Sequence, residues 1–160
     1  MGNGNRRRNA KYGNVKKGAA PDLGPTKFAS GWERDFARFL NLLVVRGVID
    51  GWEYEPQEFT FQNLEYKRGP FTYRPDFVVR WTNTSKKKIA QLLPECGLHP
   101  LPGEVAYIEV KGQERGSDRS KWKRFRKHVT ENLDIVKRNE MKVIQDLFSK
   151  QIPHWESRVR

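Results

Sequence analysis

The spacing of apolar side chains changes along the chain and marks out its elements. After Ser30, the residues Phe36, Phe39, Leu40, Leu43 and Val44 recur at helical period, and Gly47 provides a stop. Ser30 is a capping residue and Glu33 follows at the spacing of a reciprocal cap, which places Glu33 in the first turn. Trp52, Tyr54, Phe59 and Phe61 take extended spacing, with Pro56 as a bend or edge marker. Leu64 to Pro70 predicts a hairpin turn around Gly69-Pro70. Phe71 to Trp81 reads as a second aromatic and β-branched run containing Tyr73, Phe77, Val78 and Val79. Thr82 to Gly103 is an insert, basic at Lys86-Lys87-Lys88 and helical around Ile89 to Leu93. Val105 to Val110 is almost wholly apolar, as a buried central strand should be, and Gly112 ends it. Trp122, Phe125, Val129, Leu133 and Val136 predict a second helix from Ser117 to about Arg138. Met141 to Ile144 reads as a last short strand and Leu147 to Trp155 as a terminal helix or tail. The order helix, strands, helix, strand predicts an α/β fold with a mixed central sheet flanked by helices.

Composition adds a surface to that core. A chain of 160 residues, 36% apolar and 31% charged, fits one domain with a modest core and a heavily charged exterior. Its 31 Lys and Arg against 19 Asp and Glu leave a net charge of +12, a field suited to nucleic acid or an anionic membrane surface. No apolar run is long enough to span a bilayer, and no apolar segment follows the N-terminal charges as a secretory signal would require. The single Cys96 excludes an intramolecular disulfide and a thiolate zinc site, and points to a reducing cytoplasm. Residues 1 to 26, with Arg6, Arg7, Arg8, Lys11, Lys16 and Lys17, predict a disordered basic arm, either a solvated tail or a grip on phosphates. A folded domain is expected over residues 27–150, carrying the insert at 82–103, with a C-terminal tail at 151–160.

The candidate chemistry lies in the central strands. Glu109 and Lys111 are two apart, so they project from one strand face while Val110 points to the core. They can be a simple surface pair at an edge, but the flanking Tyr107-Ile108 and Val110 argue for a buried strand. Asp76 follows Pro75 and opens its strand; alone it reads equally as a turn aspartate. Glu33 alone reads equally as a cap. Together they are the parts of a phosphodiester-hydrolysing site, which needs a hard cation, a positioned water and charge neutralisation on the phosphate. Asp76, Glu109 and the Val110 carbonyl are expected ligands for Mg²⁺, with Mn²⁺ able to substitute. Glu33 is expected beside them, binding directly, through water or at a second ion, and Lys111 at the attacking water or the phosphate. His99, His128 and His154 are scattered without ligand spacing. Arg119, Lys121, Lys123, Arg124, Arg126 and Lys127 make the start of the second helix a candidate backbone-tracking surface, with Trp122 and Phe125 among them expected in the core. No Arg/Asn recognition helix stands out, so shape rather than sequence should be read.

Three segments, Ser30-Gly31-Trp32-Glu33, Tyr73-Arg74-Pro75-Asp76-Phe77 and Tyr107-Ile108-Glu109-Val110-Lys111-Gly112, resemble the PD-(D/E)xK nuclease superfamily. Within it the chain looks most like the Holliday-junction-resolving phage endonucleases; small phage nucleases and transposon-end nuclease subunits have comparable layouts. The resemblance covers roughly residues 28 to 130. It implies a restriction-endonuclease-like core, Glu33, Asp76 and Glu109 as metal-site acids, Lys111 as the catalytic lysine, a homodimer and residence in a host cytoplasm. The expected function is a Mg²⁺-dependent endonuclease acting on duplex or branched DNA, with no membrane partner. The alternatives are sequence-specific cutting, transposon-end cutting or RNA cleavage on the same fold, and a non-catalytic nucleic-acid-binding protein whose acids are surface pairs.

Overall fold

The computed structural model describes residues 18–62, 65–83 and 87–160. Arg6, Arg7, Arg8, Lys11, Lys16 and Lys17 of the expected basic arm lie outside the described residues, as do Leu64 and Lys86. The chain opens with a short antiparallel pair, β1 (Gly18–Ala19) and β2 (Lys27–Phe28). Helix α1 (Gly31–Val45) starts where sequence predicts: Ser30 is extended and its side chain accepts from the Glu33 amide at 3.1 Å. Its inner face buries Phe36, Phe39, Leu40 and Leu43 completely. Strand β3 (Ile49–Tyr54) follows, then a small hairpin of β4 (Phe59–Thr60) and β5 (Thr72–Tyr73), then β6 (Phe77–Trp81). The insert carries a short helix, α2 (Lys88–Leu92), near its expected place. Strand β7 (Val105–Val110), helix α3 (Gly116–His128), strand β8 (Leu133–Val136) and helix α4 (Arg138–Phe148) complete the order.

The central sheet runs β3-β6-β7-β8, so the apolar strand β7 is internal as its sequence requires. β3, β6 and β7 pair antiparallel, whereas β7 and β8 are parallel. A parallel pair needs a crossover, and α3 supplies it. The fold is therefore α/β with a mixed sheet flanked by helices. Strand alternation divides the core in two. Phe77, Val79 and Trp81 of β6 and Ala106, Ile108 and Val110 of β7 pack with α1 and α4. On the other face Tyr107 and the β4–β5 hairpin meet α3 in a second cluster of Phe61, Tyr73, Trp122, Phe125 and Leu133. There Phe59, Tyr73 and Tyr107 all meet the Phe125 ring edge-on at 5.0–5.3 Å.

Four expectations change. The second helix does not reach Arg138 but ends at His128. Thr130 turns the chain by accepting from the Asn132 amide at 3.1 Å, and Leu133 to Val136 enter the sheet. Leu133 and Val136 fit a helical stripe by spacing, yet they are the two opposite faces of a strand: one joins the α3 cluster, the other the main core. Met141 to Ile144 is helix, not strand. The Lys137 amide donates to Glu140 at 3.0 Å, and Met141, Ile144 and Phe148 form one buried helical stripe. The run from Phe71 to Trp81 is two strands in two sheets, because Pro75 lacks the N–H that would continue a ladder. Finally, the folded unit is longer than 27–150. Ala20 is buried and Asp22 bonds Arg38, while Ile152 and Val159 are buried and Glu156 bonds Arg34 and Arg38.

Candidate active site

The sheet register brings the distant acids together. β6 runs antiparallel to β7 with Phe77 opposite Ile108, so the residue before β6 lies beside the end of β7. Asp76 accepts there from the Val110 amide at 2.7 Å. Val110 thus contributes its N–H, and its side chain is core. Glu109 lies on the α3 face, 7% exposed, and accepts from the Tyr73 hydroxyl at 2.9 Å. The Lys111 amide donates to the Val136 carbonyl at 2.8 Å, which extends the strand geometry one residue past β7. Its ammonium therefore returns to the Glu109 side, 3.8 Å from that carboxylate and 3.1 Å from Asp118. Asp118 is 2% exposed in the first turn of α3, and it also accepts from the Arg115 amide at 2.7 Å.

Glu33 comes from the other direction, on the first turn of α1. Its carboxylate accepts from Ser30 Oγ at 2.9 Å, the Ala29 amide at 3.0 Å and the Tyr54 hydroxyl at 2.5 Å. The capping role is thus real, and Glu33 also lies within electrostatic reach of Asp76. Trp32 lies against Gly112: a Cβ at that glycine would stand 3.4 Å from the indole ring. That distance is at the edge of ordinary van der Waals contact, so the indole of α1 packs directly on the chain after Lys111.

Burial and mutual repulsion make these carboxylates costly to ionise. The Asp76 carboxyl is pushed well above its usual range, by burial first, then by Glu109 and Glu33, against the pull of the Val110 amide and Lys111. Burial raises Glu109 to about 7, although Tyr73 and Lys111 oppose the shift. Burial also raises the Tyr73 and Tyr54 hydroxyls, helped by Glu109 and Glu33 respectively, so both remain protonated donors. Asp76 and Glu109, the two expected ligands, are brought to adjoining strand ends by the sheet register. Among the described residues no group of three or more His, Cys, Asp or Glu is arranged to hold a metal ion; a Mg²⁺ site normally takes one or two carboxylates and completes its shell with water and phosphate oxygens.

Three contributors escaped sequence reading: Asp118, Tyr73 and Tyr54. Asp118 gave one signal, an acid in the first turn of a helix otherwise crowded with bases. Tyr73 and Tyr54 gave the general one, that a buried tyrosine hydroxyl seeks a partner.

The basic helix is less open than its sequence suggests. Arg119 bonds Glu114 and Lys127 bonds Glu65. Arg124 donates to the Pro70 and Arg68 carbonyls, and Arg126 to the Leu133 carbonyl. Lys121 and Lys123 make no ion pair among the described residues, and Lys123 is exposed. Trp122 and Phe125 are buried, as expected. His99 and His128 bond partners other than the site acids: His99 pairs with Asp134 at 2.9 Å, and His128 meets Tyr66 at 2.9 Å. Two surface cavities, of about 340 and 520 Å³, are lined by neither Asp76 nor Glu109. No helix among the described residues is long and apolar enough to cross a membrane. Compared with family models, with curated proteins and with solved structures, the chain has no significant match in any of the three.

Proposed function

We propose that this protein is a metal-dependent DNA endonuclease of the PD-(D/E)xK kind that hydrolyses phosphodiester bonds at Asp76, Glu109 and Lys111 and prefers branched DNA. One observation carries the reading. Two carboxyls from adjacent strands are held side by side in a buried setting that opposes their ionisation, with Glu33 adding repulsion and Lys111 close by. Such an arrangement costs stability unless a cation offsets it, and perturbed acids of this kind concentrate at functional sites. The order α1, β3, β6, β7, α3, β8 supports the family reading, because it sets the acids at the adjoining ends of two central strands.

A bound Mg²⁺ or Mn²⁺ would polarise the phosphoryl oxygen and acidify a water at neutral pH. Asp76 and Glu109 would hold the ion, Asp76 oriented by the Val110 amide and Glu109 by the Tyr73 hydroxyl. Glu33, fixed by Ser30, Ala29 and Tyr54, would raise the negative potential around the ion or act through water. Lys111, anchored by Asp118, would orient the attacking water or neutralise charge developing on the phosphate. A homodimer, the assembly the resemblance implies, would offer one such site to each strand.

A binding protein without catalysis is the second reading. It is favoured by the closed pairing of Lys111 with Glu109 and Asp118, which a purely structural ion cluster would also show. Labelled four-way junction and matched linear duplex, incubated with Mg²⁺ or with EDTA beside the Glu109→Ala variant, separate the two. Mg²⁺-dependent cutting of the junction, lost in the variant, is expected. Equal cutting of both DNAs would remove the shape preference. Tight binding with no cutting would leave the binding protein.

A further inference from the structure

The β4–β5 hairpin is a sheet of its own that pairs with no central strand. Its connecting segment exposes Lys67 and Arg68, and neither side chain makes an ion pair among the described residues. Exposed cations alone are ordinary. Here the backbone beneath them is braced from α3. Arg124 donates to the Arg68 carbonyl at 3.0 Å and to the Pro70 carbonyl, and its guanidinium lies 3.8 Å over the Tyr66 ring. His128 meets the Tyr66 hydroxyl at 2.9 Å, and Lys127 bonds Glu65. At the root of the same hairpin, Tyr73 donates to the site acid Glu109. Lys67 and Arg68, without an ion pair among the described residues, therefore stand on backbone tied to α3, and the root of their hairpin bonds the acid cluster.

We propose that Lys67 and Arg68 at the hairpin tip dock the backbone phosphates that flank the reacting phosphodiester, with Arg124 serving as the brace. The inference rests on the DNA-endonuclease reading and names how that site holds its substrate. Arg68 is five residues from Tyr73, a reach of at most about 18 Å for extended chain. A turn of duplex spans about 34–36 Å, so the tip meets phosphates within about half a turn of the bond at Glu109. Of the basic side chains that sequence offered on α3, Arg124 and Lys127 thus act through the hairpin.

The test is fluorescence anisotropy of a labelled duplex in EDTA across a salt series, for the wild type and for Lys67→Ala/Arg68→Ala. Two lost phosphate contacts should lower the slope of log affinity against log salt by roughly 1.8, with weaker binding at low salt. Unfolding midpoints measured alongside should coincide, since both side chains are exposed. An unchanged slope and affinity would overturn the docking role. Cutting of a four-way junction by the wild type in Mg²⁺, run in parallel, separates the two claims. Cutting with no slope change in the variant removes the docking role alone. A reduced slope in the variant, without cutting by the wild type, sustains the docking role and removes the nuclease reading. No DNA binding by the wild type removes both.

Discussion

Helix α1 carries two buried acids two residues apart, and they belong to opposite kinds of charge cluster. Asp35 is wholly buried and fully engaged: it accepts from Arg38 at 2.9 Å, from the Glu156 amide at 3.0 Å and from the Ser157 amide at 2.7 Å. Arg38 also bonds Asp22 and Glu156, and Arg34 bonds Glu156, so two guanidiniums tie the N-terminal segment, α1 and the C-terminal segment together. Glu33 belongs instead to the group with Asp76 and Glu109, where carboxyls face one another and Lys111 is the nearest balancing charge. The difference appears in the proton equilibria. Asp22 and Glu156 are held below their usual range by their arginines, whereas Asp76 and Glu109 are raised by burial. Burial of charge is common to both clusters; in the first every carboxylate bonds a guanidinium, whereas among the described residues Asp76 and Glu33 form no ion pair and Glu109 stands 3.8 Å from Lys111.

Substitutions should separate the two regions most sharply. Asp76→Asn removes a proposed metal ligand and a like charge together. Cutting should fall by at least about 10²–10³-fold, the scale of losing one electrostatic group at a reacting phosphate. Urea unfolding in EDTA should show no loss of stability. Arg38→Ala leaves Asp35 buried without its cation and should cost about 3–5 kcal/mol of folding stability. The cutting rate per folded molecule should persist. Equal destabilisation by both variants would erase the distinction between a cluster whose acids each bond a guanidinium and one whose acids do not.

The same contrast predicts opposite responses to pH. The Glu109 carboxyl moves from 4.5 to about 7 on folding, so the native state binds more protons than the unfolded chain between those values. Stability without metal should therefore fall as pH rises from about 4.5 to 7, by about 1–3 kcal/mol. Asp22 and Glu156 work the other way. Their lowered values give stability that is full above the normal carboxylate range and is lost as pH falls through the folded values. Unfolding curves in EDTA from pH 3 to 8 should rise and then decline. Glu109→Gln should flatten the upper limb alone, and Mg²⁺ should flatten it in the wild type by favouring the ionised carboxylate.

The acids were legible in sequence because each sat at a break in an apolar pattern. Glu109 and Lys111 interrupt a buried strand, Asp76 opens one after Pro75, and Glu33 follows a cap. The two errors in element type share a physical cause. Leu133 and Val136 satisfy helical spacing as well as opposite strand faces, so only pairing with β7 decides between them. Once that stretch is read as helix, Met141 to Ile144 is left over as a strand. The Arg34, Arg38, Asp35 and Glu156 network was hidden for another reason. Glu156 lies about 120 residues from the other three, and no local pattern tells a buried Arg from a solvated one. Asp118 shared that fate, because its partner Lys111 belongs to another element.

Asp118 gives a finer test of how the site is held. Asp118→Asn keeps an acceptor for the Arg115 amide and removes the charge that anchors Lys111. Single-turnover cutting should slow about tenfold, the cost of releasing one oriented charge-assisted hydrogen bond of about 1.5 kcal/mol. Binding in EDTA should hold, because Asp118 is buried. A loss of binding equal to the loss of rate would make it a structural residue only.

Ser30 should give the smallest effect and the finest distinction. It caps α1 through the Glu33 amide, and its hydroxyl also donates to the Glu33 carboxylate. Ser30→Ala should cost about 1 kcal/mol of stability, and Ser30→Gly only a few tenths, because glycine is a tolerable cap. Both remove the hydroxyl that helps hold Glu33. If Glu33 serves the site, cutting should slow several-fold and to a similar extent in both variants although their stabilities differ. If Glu33 is a cap and nothing more, rates per folded molecule should match the wild type in both.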